Sequence, residues 1–379
     1  MHIKSGLKFI LSVALFICVL SALAQADEKP MAAISKLRDQ CIQILEQAAQ
    51  SENSYVRSAA ARAAGESKSP AMIPFLQKSA EDFYHNTRLF ALQGMKTISE
   101  SEALALAEKL KDDSNIWVKS TALEMLGDLG GVRYKEQIRP FLDAPDPPVR
   151  FAAAAALIKL GEPEHYAQLL EPLKRQDVVY KYHAIGHLGK IGEEKAYRHL
   201  VDLLNDPEDE IIFYGLKAIG KNAKPDILPR LRELMHSANP SIRHQAALEL
   251  GALPSHYTRD MLIGLCSDAD GMVRIAAAVA LKRFKQNACD GVFEQLLTDP
   301  DFGIRSAAAR AMGDIHLHNQ ANLLAWASRD PNIRVRSSAT RAIGMMGGSD
   351  AFALLVRLLG DSNEAVRAYA AGNLLRVLR

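Results

Sequence analysis

The chain repeats itself every 31 residues, and nothing else in it constrains the fold as tightly. With position zero set at the basic residue before each run of small residues, the register is Arg57, Arg88, Lys119, Arg150, Lys181, Ile212, Arg243, Arg274, Arg305, Arg336 and Arg367. Eleven copies follow one another without insertion or deletion, and Ile212 alone departs from the basic type. A unit this short cannot bury a core by itself, so neighbouring copies must cover one another.

Each column of the register has a physical reason. Position minus one is Val or Ile in nine copies, position plus three is Ala or Gly in all, and position plus seven is always apolar. Together with plus four these form one stripe at helical periodicity. The all-small column marks a close approach by a neighbouring helix. Position minus four is Asp or Asn nine times (Asn53, Asn115, Asp146, Asp177, Asn239, Asp270, Asp301, Asn332, Asn363), the types that accept from the free N–H groups of a helix start. Position plus eight is Gly seven times, which predicts a helix stop there and a second helix, B, of about eleven residues. Apolar residues at minus thirteen, minus twelve and minus nine, such as Val292, Phe293 and Leu296, predict a preceding helix A. Pro207, Pro300 and Pro331 fall in the turn between the two helices. No strand pattern appears.

The strings "DPNIRVRSSATRAIG" (330–344) and "DPDFGIRSAAARAMG" (299–313) resemble HEAT repeats, and the short period is similar to the HEAT-like repeats of phycobilin lyases. The resemblance covers nearly the whole chain after the leader. It implies an all-α fold, a right-handed α-solenoid of about eleven stacked two-helix units. It also implies a ladder of turn aspartates and arginines six residues later, here Asp82 and Arg88, Asp113 and Lys119, Asp268 and Arg274, Asp299 and Arg305, Asp330 and Arg336, and Asp361 and Arg367. Such partly buried charges are structural, because they need partners. The ladder is broken in units four to seven, where the turn holds Ala144, Arg175 or Ser237, or where Asp206 faces Ile212.

Residues 1–26 read differently from the rest. Lys4 and Lys8 precede the apolar run "FILSVALFICVLSAL" (9–23), and Ala24 and Ala26 flank a site for cleavage before Asp27. This is the pattern of a secretory signal peptide, leaving 27–379 as the solenoid and placing the protein outside the cytoplasm, periplasmic or secreted. Loss of the leader removes two of 46 basic residues and none of the 44 acidic ones, so the remainder is neutral at 44 against 44. Neutrality argues against nucleic acid as the main partner. No other run is long enough to span a membrane. Cys41, Cys266 and Cys289 are too few and too uneven for a disulfide framework, and Cys266 falls in a core column.

Positions minus two, plus one, plus two, plus five and plus nine of helix B face away from the apolar stripe. By the resemblance, they line the concave surface. In units nine to eleven they are mostly small or polar, as at Ser306, Ser337 and Ser338. From unit three to unit seven they carry Trp117, Phe151, Tyr182, His183, Phe213, Tyr214 and His244. An aromatic series where the ladder also fails is the candidate partner-binding site. Lys159, Lys190 and Lys221 at plus nine would flank it.

Catalytic signals are thin. His183 and His187 share a helix side, but the matching positions in adjacent units, Tyr214 and Ala218 or Ala152 and Ala156, supply no further ligand. HEAT-like metalloenzymes carry His-Glu dipeptides, and this chain has none. His316 and His318 sit in a loop. No nucleophile elbow or phosphate loop occurs. The sequence therefore points to a non-catalytic exported scaffold that binds a protein or peptide and needs no cofactor. The alternative is a lyase-like or metal-dependent enzyme on the same solenoid. Leu374, Leu375 and Leu378 would leave an apolar C-terminal end, open to self-association.

Overall fold

A computed structural model of the chain describes residues 30–175, 177–289, 291–315 and 321–378. The leader expected over 1–26 lies outside the described residues, as do His316, His318 and the side chain of Lys221. The chain divides into two compact units: a terminal unit, Met1–Ser99 with Leu297–Arg379, and a medial unit, Glu100–Leu296.

No strand occurs among the described residues. The first four helices are α1 (Pro30–Ala49), α2 (Ser54–Glu66), α3 (Ile73–Ser79) and α4 (His85–Ile98). The medial unit begins with α5 (Glu100–Leu110), α6 (Ile116–Leu129), α7 (Lys135–Ile138), α8 (Pro147–Lys159), α9 (Tyr166–Leu170) and α10 (Val178–Ile191). It continues with α11 (Glu194–Asp202), α12 (Asp209–Ile219), α13 (Leu228–Leu234), α14 (Pro240–Leu250), α15 (Ser255–Leu265), α16 (Gly271–Arg283) and all but the last residue of α17 (Val292–Leu297). The chain ends with α18 (Phe302–Asp314), α19 (Ala321–Ala327), α20 (Ile333–Met346), α21 (Gly348–Leu358) and α22 (Glu364–Val377). Odd-numbered helices are the A helices and even-numbered ones the B helices of the eleven repeats. Within each unit successive B helices stack as an α-solenoid.

The apolar stripe is the core. Column plus three is buried in every B helix, from Ala60 through Gly215 to Ala370. Each fully buried Val or Leu beside it contributes about 1.5–3 kcal/mol. Eight of the nine expected caps accept from the first N–H groups of their helices, as Asn115 does from Trp117 and Val118. Asp146 does not, because Pro147 and Pro148 open α8 and Pro148 has no N–H to offer. Prolines also break up A helices. Pro140 and Pro172 sit in the 3-10 turns Arg139–Asp143 and Glu171–Lys174 that follow the short α7 and α9.

The glycines of column plus eight correct the expected stop. Gly65, Gly127, Gly189, Gly313 and Gly344 lie inside their helices, and the B helices run for 11 to 14 residues. Their role is contact with column plus six of the next repeat. A Cβ on Gly127 would stand 2.6 Å from that of Ala156, and one on Gly189 would stand 2.6 Å from the Ala218 carbonyl oxygen. The stop holds at Gly220 and Gly251, which follow the ends of α12 and α14.

The ladder is present, with its rungs strung between repeats. Arg57 binds Asp82 at 2.7 Å, Arg243 binds Asp268 at 2.8 Å, Arg305 binds Asp330 at 2.7 Å and Arg336 binds Asp361 at 3.0 Å. Each of these arginines also donates from Nη1 to carbonyls at minus six and minus five of its own turn. Asp206 is therefore not stranded by Ile212. Its partner is Lys181 of the preceding repeat, at 3.3 Å. Cys266 and Cys289 form a disulfide between A segments, so one crosslink does support the medial unit.

In the terminal unit the last repeat packs on the first: α22 lies against α1 and α2. Gly372 meets the Ala63 backbone, Arg38 donates to the Leu378 carbonyl, and Ser51 bonds Glu364 at 2.8 Å. Leu374 and Leu375 are buried, so the apolar end expected to drive self-association already has a cover.

Candidate functional site

The medial unit gathers most of the aromatic series. Ring centroids lie 5.5 Å apart for Trp117–His183, 4.7 Å for Tyr182–His183, 4.3 Å for Tyr182–Tyr214 and 5.2 Å for Phe213–Tyr214. These five side chains from α6, α10 and α12 form one continuous row. Trp117 is 43% exposed, and the other four are half-buried. Phe151 is not part of it. At 3% exposure it is core, packed edge-on against Tyr180 at 5.3 Å. His244 is half-buried on α14.

Trp117 and His183 belong to repeats three and five, so the contact passes over repeat four. The sequence of α8, "PPVRFAAAAALIK", explains this. Its buried alanines leave no bulk to keep α6 and α10 apart on this face. Glu124 on α6 reaches Lys190 at 2.6 Å and His187 Nδ1 at 3.1 Å, the latter an ion-pair approach without good hydrogen-bond alignment. Burial alone would raise the Glu124 carboxyl, but His187 and then Lys190 outweigh it and hold the group at about 2. His183 is pushed down by burial and by the neighbouring His187.

His187 is thus buried and committed to Glu124, while His183 belongs to the aromatic row. The expected basic flank is used internally as well: Lys190 binds Glu124, and Lys159 binds Asp128 at 2.6 Å. Glu162, Glu164 and His165 do bring three potential metal donors within 4.8 Å of one another. However, Glu162 is already held by Lys135 at 3.4 Å and Arg139 at 3.1 Å.

The terminal unit holds a feature that sequence reasoning missed. The same face of α2, α4, α18, α20 and α22 lines an open cavity of about 430 Å³. Arg62, Arg310 and Arg341 enter it from column plus five, and Arg334 enters from column minus two. Three of them lie over aromatic rings: Arg62 over Phe90 at 5.3 Å, Arg334 over Phe302 at 5.7 Å and Arg341 over Tyr369 at 5.6 Å. Glu66 binds both Arg62, at 3.1 Å, and Arg341, at 2.5 Å. Ser306 and Ser338 bond each other at 2.8 Å across the wall. Ser337 is 4% exposed and its Oγ has no hydrogen-bond partner. The small polar residues seen in units nine and ten are the serines of this wall. Arg62, Arg310 and Arg341 share column plus five, but most copies of that column are not arginine, and the register does not show that repeats one and ten meet.

Comparison with known proteins gives the family. The family model of HEAT repeats matches residues 22–96, 102–185, 136–214, 213–282, 228–313 and 320–376. No curated protein matches the chain. Among solved structures, Escherichia coli YibA is 17% identical over 69% of this chain and 97% of its own, with a TM-score of 0.41. Kap121p bound to Nup53p is 13% identical over 87% of this chain and 44% of its own, with a TM-score of 0.41. Human deoxyhypusine hydroxylase is 18% identical over 66% of this chain and 97% of its own, with a TM-score of 0.33. The repeated match across the chain, on top of the register of caps, small columns and ladder, means that this protein belongs to the HEAT-repeat family.

Proposed function

We propose that this protein is an exported, non-catalytic scaffold that holds a protein or peptide partner against the B-helix face of its medial unit. The observation that carries the proposal is the row Trp117–His183–Tyr182–Tyr214–Phe213, apolar and aromatic yet partly open to solvent. Stacked rings lose little freedom when a partner lands on them, and such side chains dominate protein interfaces. With Lys159 and Lys190 engaged, attraction of an acidic rim has no part in it. Export is supported by the segment pattern of residues 1–26 and by the Cys266–Cys289 disulfide, a bond that persists in oxidising compartments. The non-catalytic reading is supported by the commitment of His187 to Glu124 and of Glu162 to its cations.

The test is a triple change, Trp117→Ser with Tyr182→Ser and Phe213→Ser. Phe151 is spared because it is core. Crosslinking in the exported fraction should show at least about a tenfold loss of captured partner, as expected for removal of interface anchors. An unchanged partner set, with helicity intact by circular dichroism, ends the proposal.

A further inference from the structure

We infer that the terminal-unit cavity is a binding site for a small polyanion, a ligand with two or more carboxylate or phosphate groups. This goes beyond the partner-binding proposal and is independent of it, because none of its residues belongs to the medial unit. Four guanidiniums line the cavity. Among the described residues Glu66 is the one carboxylate bonded to any of them, shared by Arg62 and Arg341, so four positive charges less one leaves three. Asp314 also acts on Arg341 at longer range. No described carboxylate bonds Arg310 or Arg334.

Guanidinium forks match carboxylate and phosphate oxygens two bonds at a time. Here Arg62, Arg334 and Arg341 stand over Phe90, Phe302 and Tyr369, which restricts the guanidiniums before any ligand arrives. A buried hydroxyl without a partner is costly, and Ser337 Oγ is one, in the wall of the same cavity. An oxyanion would accept its proton. A cavity of about 430 Å³ is in the range that small-molecule sites occupy. A single negative charge would leave the site cationic, so a di- or trianion suits it better.

The experiment is calorimetric titration of the full exported chain at low salt with citrate and, separately, with pyrophosphate. Saturable binding at one site per chain is expected for at least one of them. Arg310→Gln combined with Arg334→Gln should weaken it about a hundredfold, on the scale of two charged hydrogen-bonding partners lost. Arg198→Gln, an exposed arginine of the medial unit, should leave it unchanged. Ser337→Ala should lower affinity about tenfold while raising the melting temperature of the ligand-free protein, opposite signs that a merely structural hydroxyl would not give. Binding of citrate alone assigns carboxylates as the ligand groups, and binding of pyrophosphate alone assigns phosphates. No saturable binding of either up to about millimolar concentration overturns the inference. So does binding that the double arginine variant leaves intact.

Discussion

The terminal and medial units use the same brick but hold neighbouring bricks together differently. In the terminal unit, Arg57–Asp82, Arg305–Asp330 and Arg336–Asp361 are near-identical rungs at the A–B turns. In the medial unit, three rungs have lost their acid, with Ala144, Arg175 and Ser237 in its place. Other ties appear there: Arg150 donates to the Tyr180 hydroxyl at 2.6 Å, Arg175 lies over that ring at 4.5 Å, and Glu124 bridges to α10. The stacking stripe is common to both, so the shared columns set the fold. The columns on the opposite face are free to differ. In one unit they supply arginines around a cavity, and in the other a row of rings.

The sharpest way to break this comparison is to remove a rung. Arg305→Ala leaves the Asp330 carboxylate, with a side chain 3% exposed, without its main partner. Loss of one member of such a pair costs about 3–5 kcal/mol, measurable by urea unfolding. Burial alone would raise Asp330, but Arg305 and the Asn332 N–H outweigh it and hold the group below its ordinary 3.8. A depressed carboxyl gives stability that is complete above its unfolded value and is lost as pH falls through its folded one. The cost of Arg305→Ala should therefore be full at neutral pH and shrink in strong acid. A cost under about 1 kcal/mol, the value of an ordinary surface pair, would mean that the rungs do not hold the terminal unit together.

The period, the caps and the stacking columns were legible because each is a local pattern repeated eleven times. The ladder residues were legible too, but not their pairing, since a register does not say whether Asp330 answers to Arg336 or Arg305. Column plus eight misled because glycine marks a helix end and a close helix contact alike. Phe151 read as surface from its column, yet it packs on Tyr180 beside Ala167, Gln168 and Pro172 of the next A segment. The disulfide was hidden because Cys266 and Cys289 occupy unrelated columns. The cavity was least legible: Gly372 meets Ala63 across some three hundred residues of sequence, and no column announces that contact.

The medial unit also carries a buried acid. Glu249 stands in column plus six, where Ala156, Ala218 and Ala280 stand elsewhere in the unit, and it is 2% exposed. Burial pushes its carboxyl up to about 7, offset in part by the Gln245 amide, which donates at 2.8 Å. The folded state then keeps a proton that the unfolded chain releases near 4.5. Stability should fall as pH rises from there to about 7 and stay reduced above that. Glu249→Gln should stabilise the protein by about 3 kcal/mol at pH 8 and by almost nothing at pH 4, read as the difference between two unfolding curves. An equal gain at both pH values would mean that the carboxyl is ionised or solvated throughout. The medial unit would then carry no such weakness relative to the terminal one.

The smallest effect sharpens the separation of the two helix faces within α10. Gly186 is at column plus five, the column that holds arginines around the cavity, and a Cβ there meets nothing within 4 Å. Gly189 is at column plus eight, and a Cβ there would meet the Ala218 Cβ at 2.9 Å and its carbonyl oxygen at 2.6 Å. Gly186→Ala should therefore stabilise by about 0.5–1 kcal/mol through helix propensity alone. Gly189→Ala makes the same change in the same helix but should destabilise by about 1–3 kcal/mol, because α12 has to move away. If the two melting temperatures shifted in the same direction, the stacking and ligand-facing columns would not be independent. A cavity could then not have been built on one face without disturbing the other.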